Sequence, residues 1–516
     1  MRLKQGLLRG VSVIAASSVM AAMILTGCSV GGAPASSSVA SSAASSEASS
    51  SSASGGASSS PASSNSSSSS SSASSKPEKP YEALWVTGSD GIRELTSYKV
   101  NGATPVGDLV LPNEGVYKIG DSCFEGNENI TSVIIPDGVV AIGGSAFSNC
   151  KNLKSVQLPN TLKKIGGNAF QKTSLTSIVI PDSVTELGGS AFYCCGNLES
   201  VKLSKSLKSI GYETFRETNL SSIDIPEGVT EIGSYAFCWA SLTNVKLPST
   251  LKVINEGAFC SCKRIGQIDF PENLEEIRSS AFFDCEHLSK VDFPNKVKII
   301  GGNAFCNTDI QEITIPESAT TIGDNAFAHN EWLESVEIKK SIDFGKYIFS
   351  TCKRLTNVKI GDTVTAIPDG MFELCTSLKH IELPSKLKTI GADAFSCTHI
   401  EKIDIPSTVT QIGQKAFYNT NLEQLVLPEG ITKIEQETFS ILYLKKVYIP
   451  ASVKSIDAAA FEHCSHLTDI YYGGSEAAWD NIQIKSSGNK NLAAIKEADG
   501  IHYNSASASM SLLSLF

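Results

Sequence analysis

Apolar and polar positions along this chain follow a pattern much longer than a helix turn or a strand pleat. In Leu153-Lys154-Ser155-Val156-Gln157-Leu158-Pro159 the positions 153, 156 and 158 are apolar and those between are polar. Val156 and Leu158 alternate as a half-buried strand requires, and Pro159 ends the strand by removing a ladder donor. Leu162 and Ile165 follow, then Ala169-Phe170. The whole order returns every 22 or 23 residues, marked by sixteen phenylalanines from Phe124 to Phe461.

A fixed period of this size predicts stacked coils, one supersecondary unit per turn. No coil buries its apolar face alone, so neighbours must do it for each other. The expected fold is a right-handed leucine-rich-repeat solenoid, mostly β. Parallel strands form one continuous sheet on one face, with turns and short 3₁₀ or extended segments on the other. The phenylalanines make an internal stack. About sixteen repeats occupy residues 109–470. Residues 76–108 do not fit the period and are expected to form an N-terminal cap, with Tyr81, Leu84, Trp85, Val86 and Ile92 covering the first coil. Four residues before the Phe stands Gly at 143, 166, 188, 233 and 323, but Arg278, Pro368, Glu435 or Asp457 elsewhere. Proline has no access to φ > 0 and Arg or Glu reach it at a cost. That glycine is therefore expected to serve close packing or a tight turn.

Charge and composition narrow the partners. The formal net charge is −10, a sign that does not suit nucleic acid, whose binding needs clustered Lys and Arg. Arg2, Lys4 and Arg9 precede an apolar stretch from Val11 to Leu25, too short for a convincing membrane span. It ends in Leu25-Thr26-Gly27-Cys28, which resembles the lipobox of bacterial lipoproteins. The resemblance implies a signal peptide over 1–27, cleavage before Cys28, and a diacylglycerol on that thiol. Residues 28–75 are almost wholly Ser, Ala and Gly. They lack the apolar surface to offset ordering and read as a disordered stalk.

The run of a strand ending in Leu-Pro, then Leu-x-x-Ile-Gly, then Ala-Phe-x-x-Cys, resembles the BspA-type (treponemal type) leucine-rich repeats of bacterial surface proteins. Tyr471-Tyr472-Gly473-Gly474, Trp479, Ile482 and Ile501-His502-Tyr503 resemble that family's closing segment. They are expected to form a C-terminal cap over 471–503, with Trp479 on the last coil and a disordered tail over 504–516. The resemblance implies a lipid-anchored protein on the extracellular face of the bacterial membrane. It would project through or beyond the wall and adhere to host matrix proteins, other cells or glycans. A substrate-capture lipoprotein serving a transporter or enzyme, and a structural envelope protein, are the alternative readings.

Chemistry-bearing motifs are sparse. Seven of the fourteen cysteines, Cys150, Cys195, Cys262, Cys285, Cys352, Cys375 and Cys464, lie three residues after the repeat Phe, a slot held elsewhere by Thr or Asn. They read as a ladder of reduced, buried thiols; with coils about 4.8 Å apart, Cys262 with Cys285, Cys352 with Cys375 and Cys238 with Cys260 come within disulfide reach as the alternative. His463, Cys464 and His466 are the densest set of ligand types and read as a turn of the last coil. No nucleotide-binding, metallohydrolase or nucleophile-elbow motif is present, so no enzyme, cofactor or metal is expected, and a monomer is. The candidate site is the outward row of the strands, where Asp224, Asp269, Asp292, Glu337, Glu382 and Asp404 form an acidic strip and Tyr448 adds an aromatic near one end. A macromolecular ligand, protein or glycan, is the expected partner.

Overall fold

The computed structural model describes residues 81–506 apart from Leu442. Cys28, the signal segment, the Ser-rich stretch and residues 507–516 lie outside the described residues. Within them the chain is a β-solenoid of short parallel strands.

Each coil contributes three runs. The first is a strand such as Ser222–Asp224, paired in parallel with Asn244–Lys246 one repeat on. The second is a two-residue strand such as Glu231–Ile232, paired with Ser209–Ile210 and Val253–Ile254. The third is a turn centred on the repeat Phe. The extended segments expected opposite the first strands are thus paired as well: seven of them, from Ser209–Ile210 to Asp343–Phe344, make one ladder.

The first-strand sheet, in contrast, is not continuous. It divides into ladders of two to four strands. A proline ends most of these strands, so each step rests on only a few residues. One interrupted region holds Phe270 and Phe293 where other coils carry Leu or Ile. Their rings pack edge-on against Phe282 and Phe305 of the internal stack.

That stack is complete. All sixteen repeat phenylalanines are buried, and successive ring centroids lie 5.0 to 6.0 Å apart. The turn that carries each ring has left-handed backbone two residues before and two residues after the Phe in nearly every coil, as at Asn168 and Lys172 or Tyr235 and Trp239. Left-handed backbone costs an L-residue roughly 1–2 kcal/mol. It aims alternate N–H groups at the next coil: those of Ser145, Phe147 and Asn149 donate to the carbonyls of Gly167, Ala169 and Gln171, each at 2.8 Å. The glycine four before the Phe is not left-handed. A Cβ on Gly166 would lie 2.6 Å from the backbone of Gly143, so close approach of consecutive coils explains it.

At the N-terminal end, β1 (Tyr81–Thr87) and β2 (Arg93–Val100) form an antiparallel hairpin, and β2 pairs with Tyr117–Ile119. Trp85 meets Tyr117 edge-on at 5.1 Å, and Tyr98 extends the ring stack from Phe124 at 6.2 Å. Leu84 and Val86 do not cover the first coil as expected. They are 66% and 56% exposed, because strand alternation puts them on the face opposite Trp85. Leu95 and Tyr98 are buried there instead. At the other end are α1 (Glu476–Asp480) and α2 (Lys490–Glu497). Trp479 is buried and meets Tyr472 edge-on at 5.2 Å.

Candidate binding face

Strand alternation points the residue between two inward apolar positions toward solvent. The structure places Asp224, Asp269, Asp292, Glu382 and Asp404 there as exposed side chains, with Glu337 half-buried in the same row. Asp292 and Asp404 retain 82% and 90% of their side-chain exposure.

Tyr448 departs from this row. It is buried, and its hydroxyl donates to Glu429 Oε1 at 2.6 Å. The backbone of Gly473 packs so closely over that hydroxyl that a Cβ would stand 2.8 Å from it. The phenol is pushed up by burial and by the Glu429 carboxylate. Position in the repeat predicted an outward aromatic, but the segment that follows the neighbouring strand Asp469–Tyr472 folds over it.

The acids share the row with lysines, as the alternation of the sequence implies. Asp224 stands in register with Lys246, and Glu337 with Lys359. Lys290 pairs with Asp292 at 3.0 Å, and Lys402 with Asp404 at 3.8 Å. Gln267 Nε2 donates to Asp269 Oδ1 at 2.9 Å. The face is therefore a mosaic of alternating charge. Such exposed pairs contribute little to stability, about 0–1 kcal/mol each. They leave the charges free to exchange partners with a ligand.

Two depressions interrupt the face where neighbouring strand ladders part. One, of about 700 Å³, is lined by residues that include Asp292, Glu312, Thr314 and Lys339. The other, of about 870 Å³, lies between residues 401–405 and 423–426 and reaches Tyr443. Neither was legible in the sequence, since a break in a ladder leaves no trace in the repeat consensus.

The cysteine column is scaffold. Sγ of Cys150, Cys195, Cys262, Cys285, Cys352, Cys375 and Cys464 each donates to the carbonyl of the preceding coil's Phe, at 2.9 to 3.4 Å. In the same slot Thr218 Oγ1 donates to Phe215 O at 2.8 Å, and Asn330 Nδ2 to Phe305 O at 3.0 Å and Phe327 O at 2.8 Å. The slot asks for a small buried donor, which explains why Cys, Thr and Asn share it. No disulfide joins any of the thirteen described cysteines. His463, Cys464 and His466 do not converge: Cys464 turns inward to Phe439 O, while His466 stacks on Tyr443 at 6.5 Å. Among the described residues no three His, Cys, Asp or Glu side chains are grouped as metal ligands, and no helix is long and apolar enough to cross a membrane.

Known proteins bear this architecture. The BspA type leucine rich repeat region (6 copies) matches residues 117–242, 230–355 and 342–468. A leucine-rich repeat protein from Bacteroides ovatus is 29% identical and superposes with a TM-score of 0.58, covering 76% of this chain and 93% of its own. A leucine rich cell surface protein from Faecalibacterium prausnitzii is 25% identical at a TM-score of 0.39, over 80% of this chain and 98% of its own. No curated protein matches the chain. With the repeat region matched over more than half its length, the chain belongs to the BspA-type leucine-rich-repeat family.

Proposed function

We propose that this chain is a bacterial cell-surface protein, lipid-anchored at Cys28, that binds a macromolecular ligand through the first-strand face of its solenoid. The carrying observation is the outward row itself. Five of its six candidate acids are exposed, interleaved with lysines, along successive coils. Repetition of small charged contacts suits an extended ligand, which gains affinity from many weak sites at once. Membership of a surface-protein family and the lipobox-like Leu25-Thr26-Gly27-Cys28 support the location, and the family resemblance supports adhesion to matrix proteins, cells or glycans.

The test compares the full chain with the Asp224→Ala, Asp269→Ala, Asp292→Ala, Glu337→Ala quadruple variant for retention of host matrix extract and surface glycans. Loss of retention is the expected result. Equal retention by both proteins removes this face as the binding surface. Cys28→Ala is expected to release the protein into the medium, and continued membrane association would remove the anchor.

A further inference from the structure

Among the described residues, the strand ladder stops at Lys402. Its bridge to His380 is isolated, and the following strand, Gln424–Val426, pairs only onward, with Lys446–Tyr448. The groove at this break, about 870 Å³, falls within the roughly 300–1,000 Å³ of small-ligand sites.

Its wall is polar and charge-balanced. Glu401 pairs with Lys379 at 3.0 Å, Glu423 with Lys445 at 2.8 Å, and Asp404 with Lys402 at 3.8 Å. Each acid along the groove thus has a lysine partner, and the three pairs carry no net charge that would select a charged ligand. The apolar residues at its base, Ile403 and Leu425, are 7% and 1% exposed. Ile403 and Leu425 therefore offer no pocket to the alternate apolar side chains of a strand-adding peptide. The most exposed apolar group along the groove is the Tyr443 ring, 51% exposed and held against His466, with half-buried Ile405 and Val426 beside it. Asn421 and Gln424 add side-chain amides that both donate and accept.

We infer that this groove binds a neutral oligosaccharide, with one pyranose ring stacked on Tyr443 and the hydroxyls of its neighbours bonded to Asn421, Gln424 and Asp404. A pyranose joins an apolar C–H face to a rim of hydroxyls. That is the chemistry an exposed aromatic ring beside amides and balanced carboxylates recognises. The assignment rests on the surface-binding function proposed above and names the ligand class of one segment of the face.

The experiment titrates the full chain, by calorimetry and saturation-transfer NMR, with linear hexasaccharides of glucose, mannose and N-acetylglucosamine. Heparin and a decapeptide of mixed sequence serve as charged and peptide probes. At least one hexasaccharide is expected to bind, weakened about tenfold or more by Tyr443→Ala and similarly by Asn421→Ala with Gln424→Ala. Trp332→Ala, which removes another exposed aromatic 48% open to solvent outside the groove, is expected to leave binding unchanged. Thermal unfolding checks that each variant folds. Absence of binding by all three hexasaccharides, or equal binding by the Tyr443→Ala protein, overturns the assignment. Binding of heparin or the peptide alone overturns it too. A chain that retains matrix or surface material yet binds no hexasaccharide loses the groove but keeps the surface function; a chain that retains nothing loses both.

Discussion

The thiol of Cys262 donates to the main-chain carbonyl of Phe237, one coil back, at 3.0 Å. The same bond recurs at six other cysteines. It links the buried ring of one coil to the turn of the next, and makes an abundance of cysteine in this chain a packing feature rather than a cross-linking one.

Thiol chemistry should follow from that burial, which pushes Cys150 and Cys464 up to about 12. The thiolate, not the thiol, is the reactive form. Among the described cysteines of the folded protein, only the half-buried Cys123, Cys194 and Cys397 are open at neutral pH to an aromatic disulfide reagent, and Cys123 is itself pushed up to about 12 by burial. No more than these should react quickly, and all thirteen described cysteines after denaturation without reductant. Fewer than ten released thiols under denaturing conditions would mean that disulfides staple the coils.

Close coil approach at Gly166 predicts a contrast between two glycines. Gly166→Ala forces a methyl against the Gly143–Gly144 backbone, and should cost roughly 1–3 kcal/mol, the range of overpacking. Gly196 has open space around it and no positive φ, so Gly196→Ala should be near neutral or slightly stabilising. Chemical denaturation of the two variants compares them directly; equal midpoints would mean the glycine column has no packing role.

Glu373 is half-buried and its pKa is raised by desolvation, partly offset by the hydrogen bond from Ser350 Oγ at 3.1 Å. The folded protein therefore keeps this proton at a pH where the unfolded chain has released it. Its ionisation opposes folding, so the stability it allows is fully present below the unfolded pKa and declines as pH rises through the folded one. Glu373→Gln should be at least as stable as the parent at pH 7, with the difference shrinking as pH is lowered into the carboxylate range. Unfolding midpoints against pH for both proteins check this; a variant whose disadvantage grows toward pH 7 would show the opposite coupling.

Asn489 substitutes for the coil that is missing after the last repeat. Its Oδ1 accepts the Phe461 N–H at 3.1 Å, and its Nδ2 donates to the carbonyls of Asp457 and Lys485 at 2.7 and 2.8 Å. The side chain is buried, so Asn489→Ala leaves unpaired polar groups at about 1–3 kcal/mol each. Amide hydrogen exchange should accelerate in residues 433–472 while central coils keep their protection, since a solenoid couples mainly neighbour to neighbour. Unchanged exchange at the last coils would mean that other contacts terminate the stack.

The period of Phe and the strand-ending prolines determined the solenoid, its buried rings and the scaffold role of the glycine and cysteine columns. Each is a demand that every coil makes of the same position, and so is written repeatedly along the chain. Of the acids that strand alternation points outward from Asp224 to Asp404, five are exposed and Glu337 is half-buried. Features set by only one neighbour escaped the repeat pattern. Tyr448 is buried because the Gly473 backbone folds over it, and Leu84 and Val86 face solvent because the hairpin turns its other side inward. The left-handed turn residues were hidden for a different reason: inter-coil hydrogen bonds hold that backbone in place, so Lys, Glu, Tyr and Trp stand where glycine or asparagine would have announced it. Breaks in the strand ladder, and the Tyr443 groove that opens at one of them, exist only once the coils are stacked, because they depend on how adjacent turns meet and not on what either one contains.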